Sequence, residues 1–151
     1  MKNGRVILIC GLPGSGKTTL SKQIEAEEGA IRFCPDDWME EMGISLWNGK
    51  AREGIEQRFW KLAQLLALQG VTSILENGFW SKEERDSYLK TAREKGFEIE
   101  LRALHIPKEE ARKRLESRGM EGDALIIKEK LDSYYEAFEM PSEEELAQYY
   151  K

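Results

Sequence analysis

The sequence has few cysteines and no long apolar run. Its two cysteines, Cys10 and Cys34, each end a predicted strand among apolar neighbours, where a thiol behaves as a small hydrophobic group. We therefore expect both to be reduced. The apolar run in the first ten residues, MKNGRVILIC, is far shorter than the roughly 20 residues that a membrane helix needs, and no small-residue cleavage site follows it. These absences predict a cytoplasmic protein without a membrane partner.

An excess of positive charge is also absent. The net charge is -5 although 34% of the residues are charged, so the surface as a whole repels phosphate backbones and nucleic acid is not the default partner. There are no repeats or flexible linkers, and the four prolines are spread along the chain. A chain of 151 residues, 40% of them hydrophobic, can bury one core. We predict a single domain over residues 1–151.

Strands and helices are predicted to alternate. Predicted strands cover residues 5–10, 30–34, 71–76 and 97–106. Helices are predicted over residues 16–27 and 38–42, along an apolar stripe from Ile55 to Leu66, from the Ser81 capping box to Gly96, over residues 107–118, and as one long final helix striped by Ile127, Leu131, Tyr134 and Phe138. Asn77 and Gly78 are predicted to form a turn. This alternation predicts a parallel sheet with helices on both faces, and its functional site lies at the carboxyl ends of the strands.

The segment after the first predicted strand, ICGLPGSGKTT, carries the clearest chemical signal. Gly11, Gly16, Lys17 and Thr18 satisfy the phosphate-loop pattern G-x-x-x-x-G-K-[ST]. Glycines allow successive backbone N–H groups to turn inward as an anion cradle, and the following helix adds its positive N-terminal end. Lys17 then reaches the outer phosphates while the Thr18 hydroxyl ligates Mg²⁺. The predicted nucleotide-binding residues of the loop are Gly11, Pro13, Gly14, Ser15, Gly16, Lys17, Thr18 and Thr19. The alternative is a glycine-rich turn without a ligand.

Acidic side chains follow the second and third predicted strands. Asp37 with Glu40 is typical of a capping box for a short helix. Asp36 is then free to accept a proton from an attacking substrate hydroxyl, although it would also suit a turn. Glu76 closes the third strand as a carboxylate that could hold the water shell of a metal ion.

Several aromatic residues and the single histidine lie near the same predicted strand ends. The aromatic residues are Trp38, Trp47, Phe79 and Trp80, and each could line an acceptor pocket or seal the core. His105 is expected to be a core or rim residue rather than a catalytic one.

The predicted helix over residues 107–118 has basic residues that could cover a bound nucleotide. Its acidic and basic residues can form ordinary pairs four residues apart on a solvated face. Arg114 and Arg118 also share a side of the helix, and the planar guanidinium group can grip phosphate oxygens in pairs. We therefore predict a lid over about residues 107–123 that closes over the nucleotide and excludes water.

The motifs GLPGSGKTT, PDDW, LENGFWSKEERDSYLKTAREKG and ARKRLESRG together resemble those of small bacterial P-loop kinase-like proteins, a group often labelled AAA-type ATP-binding domains. The chain is also similar to the kinase domain of phage polynucleotide 5'-kinase, chloramphenicol phosphotransferase and zeta-toxin-like kinases. The resemblance implies an α/β, three-layer P-loop NTPase fold with a parallel sheet in the order 2-3-1-4 and a helical lid. It also implies ATP and Mg²⁺ as cofactors bound through Lys17 and Thr18, Asp36 as the base, and Arg114 and Arg118 as lid arginines.

The chain departs from that pattern at two positions. Met39 stands where the polynucleotide kinase has an arginine that helps to hold nucleic acid, which disfavours a nucleic-acid acceptor. Glu76 stands where these families often have Asp. We therefore expect an ATP-dependent phosphotransferase that acts on a hydroxyl of a small molecule, with Lys17, Asp36, Arg114 and Arg118 as its catalytic residues. The alternatives are an ATP-binding or ATP-hydrolysing module without an acceptor, and a polynucleotide 5'-kinase.

Overall fold

A computed structural model describes residues 3–118 and 122–150, and in the second range side chains are described from residue 125 onward. The described strands are β1 (Arg5–Cys10), β2 (Ile31–Phe33), β3 (Ser73–Gly78) and β4 (Glu98–Ala103). All neighbouring pairs are parallel, and the sheet order is β2-β3-β1-β4. The expected order 2-3-1-4 and the α/β fold class are thus confirmed.

Helices connect the strands and continue beyond the last one. They are α1 (Lys17–Glu28), α2 (Pro35–Glu41), α3 (Gly49–Leu68), α4 (Lys82–Lys95), α5 (Lys108–Ser117), α6 (Gly122–Glu129), α7 (Leu131–Ala137) and α8 (Glu143–Leu146). Within the part of the chain that the structure describes, no helix is both long and apolar enough to cross a membrane.

The central strand β1 supplies side chains to a separate core on each face of the sheet. Val6 and Leu8 belong to the larger core, which includes Phe59 of α3. Ile7 packs on the opposite face with Ile24 of α1. All these strand residues are fully buried, which explains why β1 is a continuous apolar run rather than an alternating one. Burying one such side chain stabilises the fold by about 1.5–3 kcal/mol, so the three layers hold β1 and the loop after it firmly in place.

Capping boxes are predicted at the start of two helices, and the structure confirms one of them. The Ser81 hydroxyl accepts a hydrogen bond from the Glu84 N–H at 3.1 Å, which confirms the predicted capping box of α4. The capping box predicted for Asp37 and Glu40 is wrong, because α2 begins earlier, at Pro35, with Cys34 as its N-cap. Proline suits the first helical position, since its fixed φ and missing N–H cost nothing there.

Three further boundaries differ from the prediction. Strand β3 runs through Gly78 instead of turning at Asn77, because Gly78 still pairs with Cys10 of β1. Strand β4 ends at Ala103, so His105 lies exposed in the following loop. The predicted final helix is divided into α6 and α7. Its residues serve two cores: Leu131 packs against α5, whereas Phe138 packs against the larger core beside the sheet.

Candidate active site

The loop between β1 and α1 has the backbone geometry that a phosphate cradle requires. Gly14 and Gly16 have φ values of 84° and 99°, in the left-handed region that strains any residue with a Cβ. A Cβ at Gly11 would lie 2.6 Å from the Ser15 hydroxyl oxygen, so this position also excludes a larger residue. The loop ends where α1 begins, at Lys17, and directs a helix N-terminus toward the cradle.

Lys17 lies over this loop with its ammonium group inside the site. Its Nζ donates a hydrogen bond to the Gly11 carbonyl oxygen at 3.1 Å. Burial lowers the pKa of Lys17, while the negative charges of Glu76 and Asp36 act in the opposite direction. A desolvated ammonium group with acidic neighbours is a strong anchor for an anion that replaces the carbonyl contact.

Glu76, at the carboxyl end of β3, organises the predicted metal site. It accepts hydrogen bonds from the Thr18 hydroxyl at 2.8 Å, from the Arg32 Nε at 2.9 Å and from the Ser21 hydroxyl. Burial acts to raise the pKa of Glu76, but the three hydrogen bonds outweigh it and lower that pKa below its usual range. Glu76 is therefore ionised at neutral pH and holds the Thr18 hydroxyl in place.

Ser21 and Arg32 are site residues that the sequence reasoning missed. Ser21 lies one helical turn after Lys17, and its hydroxyl oxygen, which donates its one proton to Glu76, lies 2.6 Å from the Lys17 carbonyl oxygen. Helical spacing alone could have indicated this residue. Arg32 is the single cation in the three-residue strand β2. Its Nη1 also contacts the Asp37 carboxylate at 2.8 Å.

The oxygen atoms beside the phosphate cradle suit Mg²⁺ only when a nucleotide is bound as well. Among the described residues, no group of three or more acidic, histidine or cysteine side chains is placed to hold a metal ion. Magnesium commonly binds proteins through one or two oxygen ligands plus substrate phosphates. Thr18 and Glu76 fit that arrangement, because a hydroxyl and a carboxylate oxygen meet directly beside the phosphate cradle.

Asp36 lies in the first turn of α2, on the wall of the same cavity as Lys17. Its Oδ1 forms an ion pair with the Arg52 Nη2 of α3 at 2.7 Å. The Arg52 Nη2 also donates to the Leu46 carbonyl oxygen at 3.1 Å. Arg52 is a site residue without a sequence signal, since only the fold brings α3 against the start of α2. It fixes the direction of the Asp36 carboxylate.

The cavity extends well beyond the phosphate cradle. Its volume is about 670 Å³, and its far wall is formed by α3, α4 and α7. The side chains of that far wall are Arg52, Glu56, Ser81, Glu84 and Tyr134. This extension gives room for a second compound beside a nucleotide triphosphate.

The four aromatic residues divide between the cavity and the core. Trp47, Phe79 and Trp80 line the cavity. Trp38 does not line it, because its ring packs edge-on against Phe59 with the ring centroids 5.0 Å apart. Trp38 thus belongs to the core edge.

Phe79 has a strained backbone on the cavity wall. It is the one described non-glycine residue with positive φ, at 46°. Arg85 of α4 donates to its carbonyl oxygen at 2.8 Å, and this contact fixes the strained backbone.

Arg114 and Arg118 of the predicted lid lie against the phosphate loop. The Arg114 Nη1 donates to the Gly14 carbonyl oxygen at 3.2 Å, and its Nε also contacts the Glu110 carboxylate at 3.4 Å. Arg114 thus forms the surface pair that its spacing from Glu110 allows, and its role over a bound nucleotide stays a prediction. Arg118 lines the main cavity and, with Arg114, a groove of about 520 Å³ beside Gly16. Residues 119–121 of the predicted lid lie outside the described residues.

Several solved structures share this fold, and kinases are among them. The chain is similar to a gluconokinase from Sinorhizobium meliloti, with 18% identity over 95% of this chain and 80% of that one and a TM-score of 0.64. It is similar to the APS kinase CysC from Mycobacterium tuberculosis in complex with AMPPNP and APS, with 17% identity, coverage of 94% and 86%, and a TM-score of 0.67. These likenesses establish a P-loop kinase fold.

A chain of the Pnkp1/Rnl/Hen1 RNA repair complex also shares the fold. The identity is 22% with a TM-score of 0.66, and 93% of this chain corresponds to 48% of that one. The protein thus spans about half the length of this relative. None of the curated proteins matches the sequence. Residues 6–141 match the family described as an AAA domain, and the chain, with its phosphate loop and parallel sheet, belongs to that family.

Proposed function

We propose that the protein is a phosphotransferase that moves the γ-phosphate of ATP to a hydroxyl group of a small molecule, with Mg²⁺. One observation carries the proposal: Lys17 and Asp36 line a single cavity that continues past the phosphate cradle. A protein that only binds or hydrolyses nucleotide needs the cradle and a water molecule. It has no use for a second compartment with a carboxylate at the junction.

The residues of the cavity divide the work. The loop amides and Lys17 bind the phosphates, and the guanidinium groups of Arg114 and Arg118 neutralise charge as the phosphoryl group moves. Thr18 and Glu76 would hold Mg²⁺, which supplies charge neutralisation at the β- and γ-phosphates. Asp36, oriented by Arg52, accepts the proton of the attacking hydroxyl. The new O–P bond forms as the bond to the leaving ADP breaks, so positioning supplies most of the catalysis.

One contact favours an alternative, an ATP-binding or ATP-hydrolysing module without an acceptor. The ion pair with Arg52 at 2.7 Å already occupies one oxygen of the Asp36 carboxylate, which would have to accept the proton of the substrate hydroxyl. A polynucleotide 5'-kinase is less well supported. The far part of the cavity carries the carboxylates Glu56 and Glu84, and these would repel a nucleic-acid backbone.

The test is transfer of labelled phosphate from ATP to small hydroxyl compounds in a metabolite extract. We expect Asp36→Asn to reduce transfer about 100-fold or more while ATP still binds. Lys17→Ala should reduce both transfer and nucleotide binding. Glu40→Gln, at an exposed position of the same helix, is the matched control and should behave as the unsubstituted protein. Transfer that survives unchanged in Asp36→Asn would exclude Asp36 as the base, and ATP hydrolysis with no labelled acceptor would favour the module.

A further inference from the structure

We propose that the acceptor is a cationic hydroxyl compound, one that carries an ammonium group beside the hydroxyl that receives phosphate. The inference rests on the proposed function, because it assigns the far part of the cavity to the second substrate. Three features of the described residues support it: two carboxylates without ion-pair partners, engaged cations around them, and an aromatic wall.

Glu56 of α3 and Glu84 of α4 both face the cavity. Both side chains are half-buried, and the negative charge of Glu84 acts on Glu56. Neither carboxylate has a hydrogen bond or an ion pair with any described residue. Carboxylates in such half-buried positions are costly to ionise unless a positive charge compensates them. Because no cation among the described residues forms an ion pair with either carboxylate, a cation in the cavity would be their first ionic partner.

The described cations on or beside the cavity wall are already engaged. Arg85, next to Glu84 on α4, is paired with Glu145 at 2.7 Å. Arg52, one turn before Glu56 on α3, is paired with Asp36 at 2.7 Å. The Lys130 ammonium lies over the Trp47 ring at 5.0 Å from its centroid. Lys17 and Arg118 line the phosphate-binding end of the cavity, where the triphosphate would take up their charge. A positive charge on the acceptor would supply the ion-pair partner that Glu56 and Glu84 lack.

The aromatic wall suits the same ligand. Trp80 and Tyr134 line the cavity and meet edge to face, with ring centroids 5.0 Å apart. The negative face of an indole or phenol ring attracts an ammonium group and also packs against its carbon skeleton. An anionic acceptor would instead meet the carboxylates of Glu56, Glu84 and Asp36. The cavity thus selects by charge as well as by size.

Protonation of the pair supports this inference. Burial and the nearby Glu84 charge raise the pKa of Glu56 to about 7, and burial raises the pKa of Glu84. A bound cation would favour the ionised form and lower both values again. Binding of a cation should therefore strengthen as the pH rises from 6 to 8. The charged or titratable groups that face Glu56 are Glu84 and Tyr88 from α4, Asp36 from α2, and Arg52 and Glu53 from its own helix.

The experiment compares ligands that differ in charge but hardly in shape. Choline is paired with 3,3-dimethylbutan-1-ol, in which carbon replaces the charged nitrogen, and glucosamine is paired with glucose. Binding to the full chain is measured by its tryptophan fluorescence, to which Trp47 and Trp80 of the cavity wall contribute, with Mg²⁺ and a non-hydrolysable ATP analogue present. Phosphate transfer from ATP to each compound is measured separately.

We expect the charged member of each pair to bind about tenfold or more tightly than its neutral partner. Choline has a fixed charge, so its binding should strengthen between pH 6 and pH 8. Glu56→Gln and Glu84→Gln should each weaken binding of the charged member about tenfold, and Glu56→Gln should remove most of the pH dependence. Binding of the neutral member should stay within about twofold in these variants. Glu94→Gln, an exposed position on α4, is the control and should change none of these values.

Equal binding within both pairs, tighter binding of the neutral members, or no binding of choline and glucosamine would overturn the inference, whether or not phosphate is transferred to another compound. Charge-selective binding that disappears in Glu56→Gln and Glu84→Gln supports it. If the charged compounds bind selectively and no phosphate reaches any hydroxyl compound, the proposed function fails and the assignment of the cavity stands. Transfer to a neutral or anionic acceptor in preference to the charged ones keeps the proposed function and overturns the inference.

Discussion

At the scale of single residues, Glu76 joins the two halves of the candidate site. Its carboxylate receives the Thr18 hydroxyl from the phosphate loop and the Arg32 guanidinium from β2. The importance of Glu76 could be predicted, because an acidic residue that closes an apolar strand is unusual and the carboxyl end of a parallel strand is where ligands bind. Arg32 could not be predicted in the same way. Its role depends on the pairing of β2 with β3, which no local pattern specifies.

Glu56 gives a prediction about pH and stability. The pKa of this carboxyl group is about 7 in the folded protein, against a usual value of 4.5. Between these values the folded state binds more protons than the unfolded state, so the free energy of unfolding falls as the pH rises from 4.5 to 7. The loss is complete above pH 7 and absent below pH 4.5. We therefore compare the free energy of unfolding of Glu56→Gln with that of the unsubstituted protein at each pH. The difference should be more favourable to the variant at pH 8 than at pH 4.5, by about 1–2 kcal/mol once the partial exposure of the group is allowed for.

Urea unfolding at the two pH values measures this difference. Glu94→Gln is the control, because its exposed side chain should leave the pH dependence unchanged. A Glu56→Gln profile parallel to that of the unsubstituted protein would contradict the argument. If Glu56→Gln is more stable and binds cations more weakly, the Glu56 charge lowers stability in exchange for function.

At the scale of helices and strands, the clearest local signals were the most reliable. Ser81 caps α4 as predicted, and Ser142 caps α8 in the same way, since a capping box is a contact between residues only three apart. The division of the last long helix was not predictable in this way. Ile127 and Phe138 fall on one helical stripe in the sequence, but they pack on different cores. A hydrophobic stripe indicates that residues are buried, but it does not indicate which core they pack against.

The docking of α8 gives a prediction at this scale. Glu145 of α8 accepts two hydrogen bonds from Arg85 of α4, at 2.7 Å and 3.0 Å, and these residues are 3% and 0% exposed. Glu145→Gln leaves the guanidinium charge buried without its counter-charge, so we expect a loss of about 3 kcal/mol in the free energy of unfolding. Because Arg85 also holds the Phe79 carbonyl group, the loss should be accompanied by weaker binding in the cavity.

Chemical unfolding with urea measures the first effect and ligand titration the second. Glu144→Gln, the exposed neighbour in the same helix, should stay within about 0.5 kcal/mol of the unsubstituted protein. If the two variants were equally stable, the Arg85 pair would contribute little to the docking of α8.

At the scale of the whole molecule, the sheet could be predicted and the cavity could not. Alternating elements and a glycine-rich loop define a parallel α/β fold, because right-handed crossovers leave few other topologies. The far wall of the cavity combines α3, α4 and α7, which are widely separated in the chain. Glu56 and Tyr134 meet there through tertiary packing alone. Their polar side chains otherwise look like the solvated faces of ordinary helices.

Nucleotide binding should stabilise the whole molecule. With Mg²⁺ and a non-hydrolysable ATP analogue at 100 times its dissociation constant, mass action adds about 2.7 kcal/mol to the free energy of unfolding. For a chain of this length that gain corresponds to a rise of roughly 5–10 °C in Tm. Thermal unfolding followed by circular dichroism measures it. Lys17→Ala should show a much smaller rise, and an equal rise in that variant would mean that the nucleotide binds elsewhere.

The hydrogen bonds to Glu76 predict the order in which magnesium and the nucleotide would bind. Its carboxylate is already shared by two hydroxyl groups and a guanidinium group, so an incoming free ion finds few oxygen atoms left to surround it. Under the proposed function, Thr18 and Glu76 would therefore hold magnesium only together with the triphosphate. Magnesium added alone should leave the melting temperature where it was. The nucleotide-free protein would then bind the complex of magnesium with the nucleotide and would not bind the free ion.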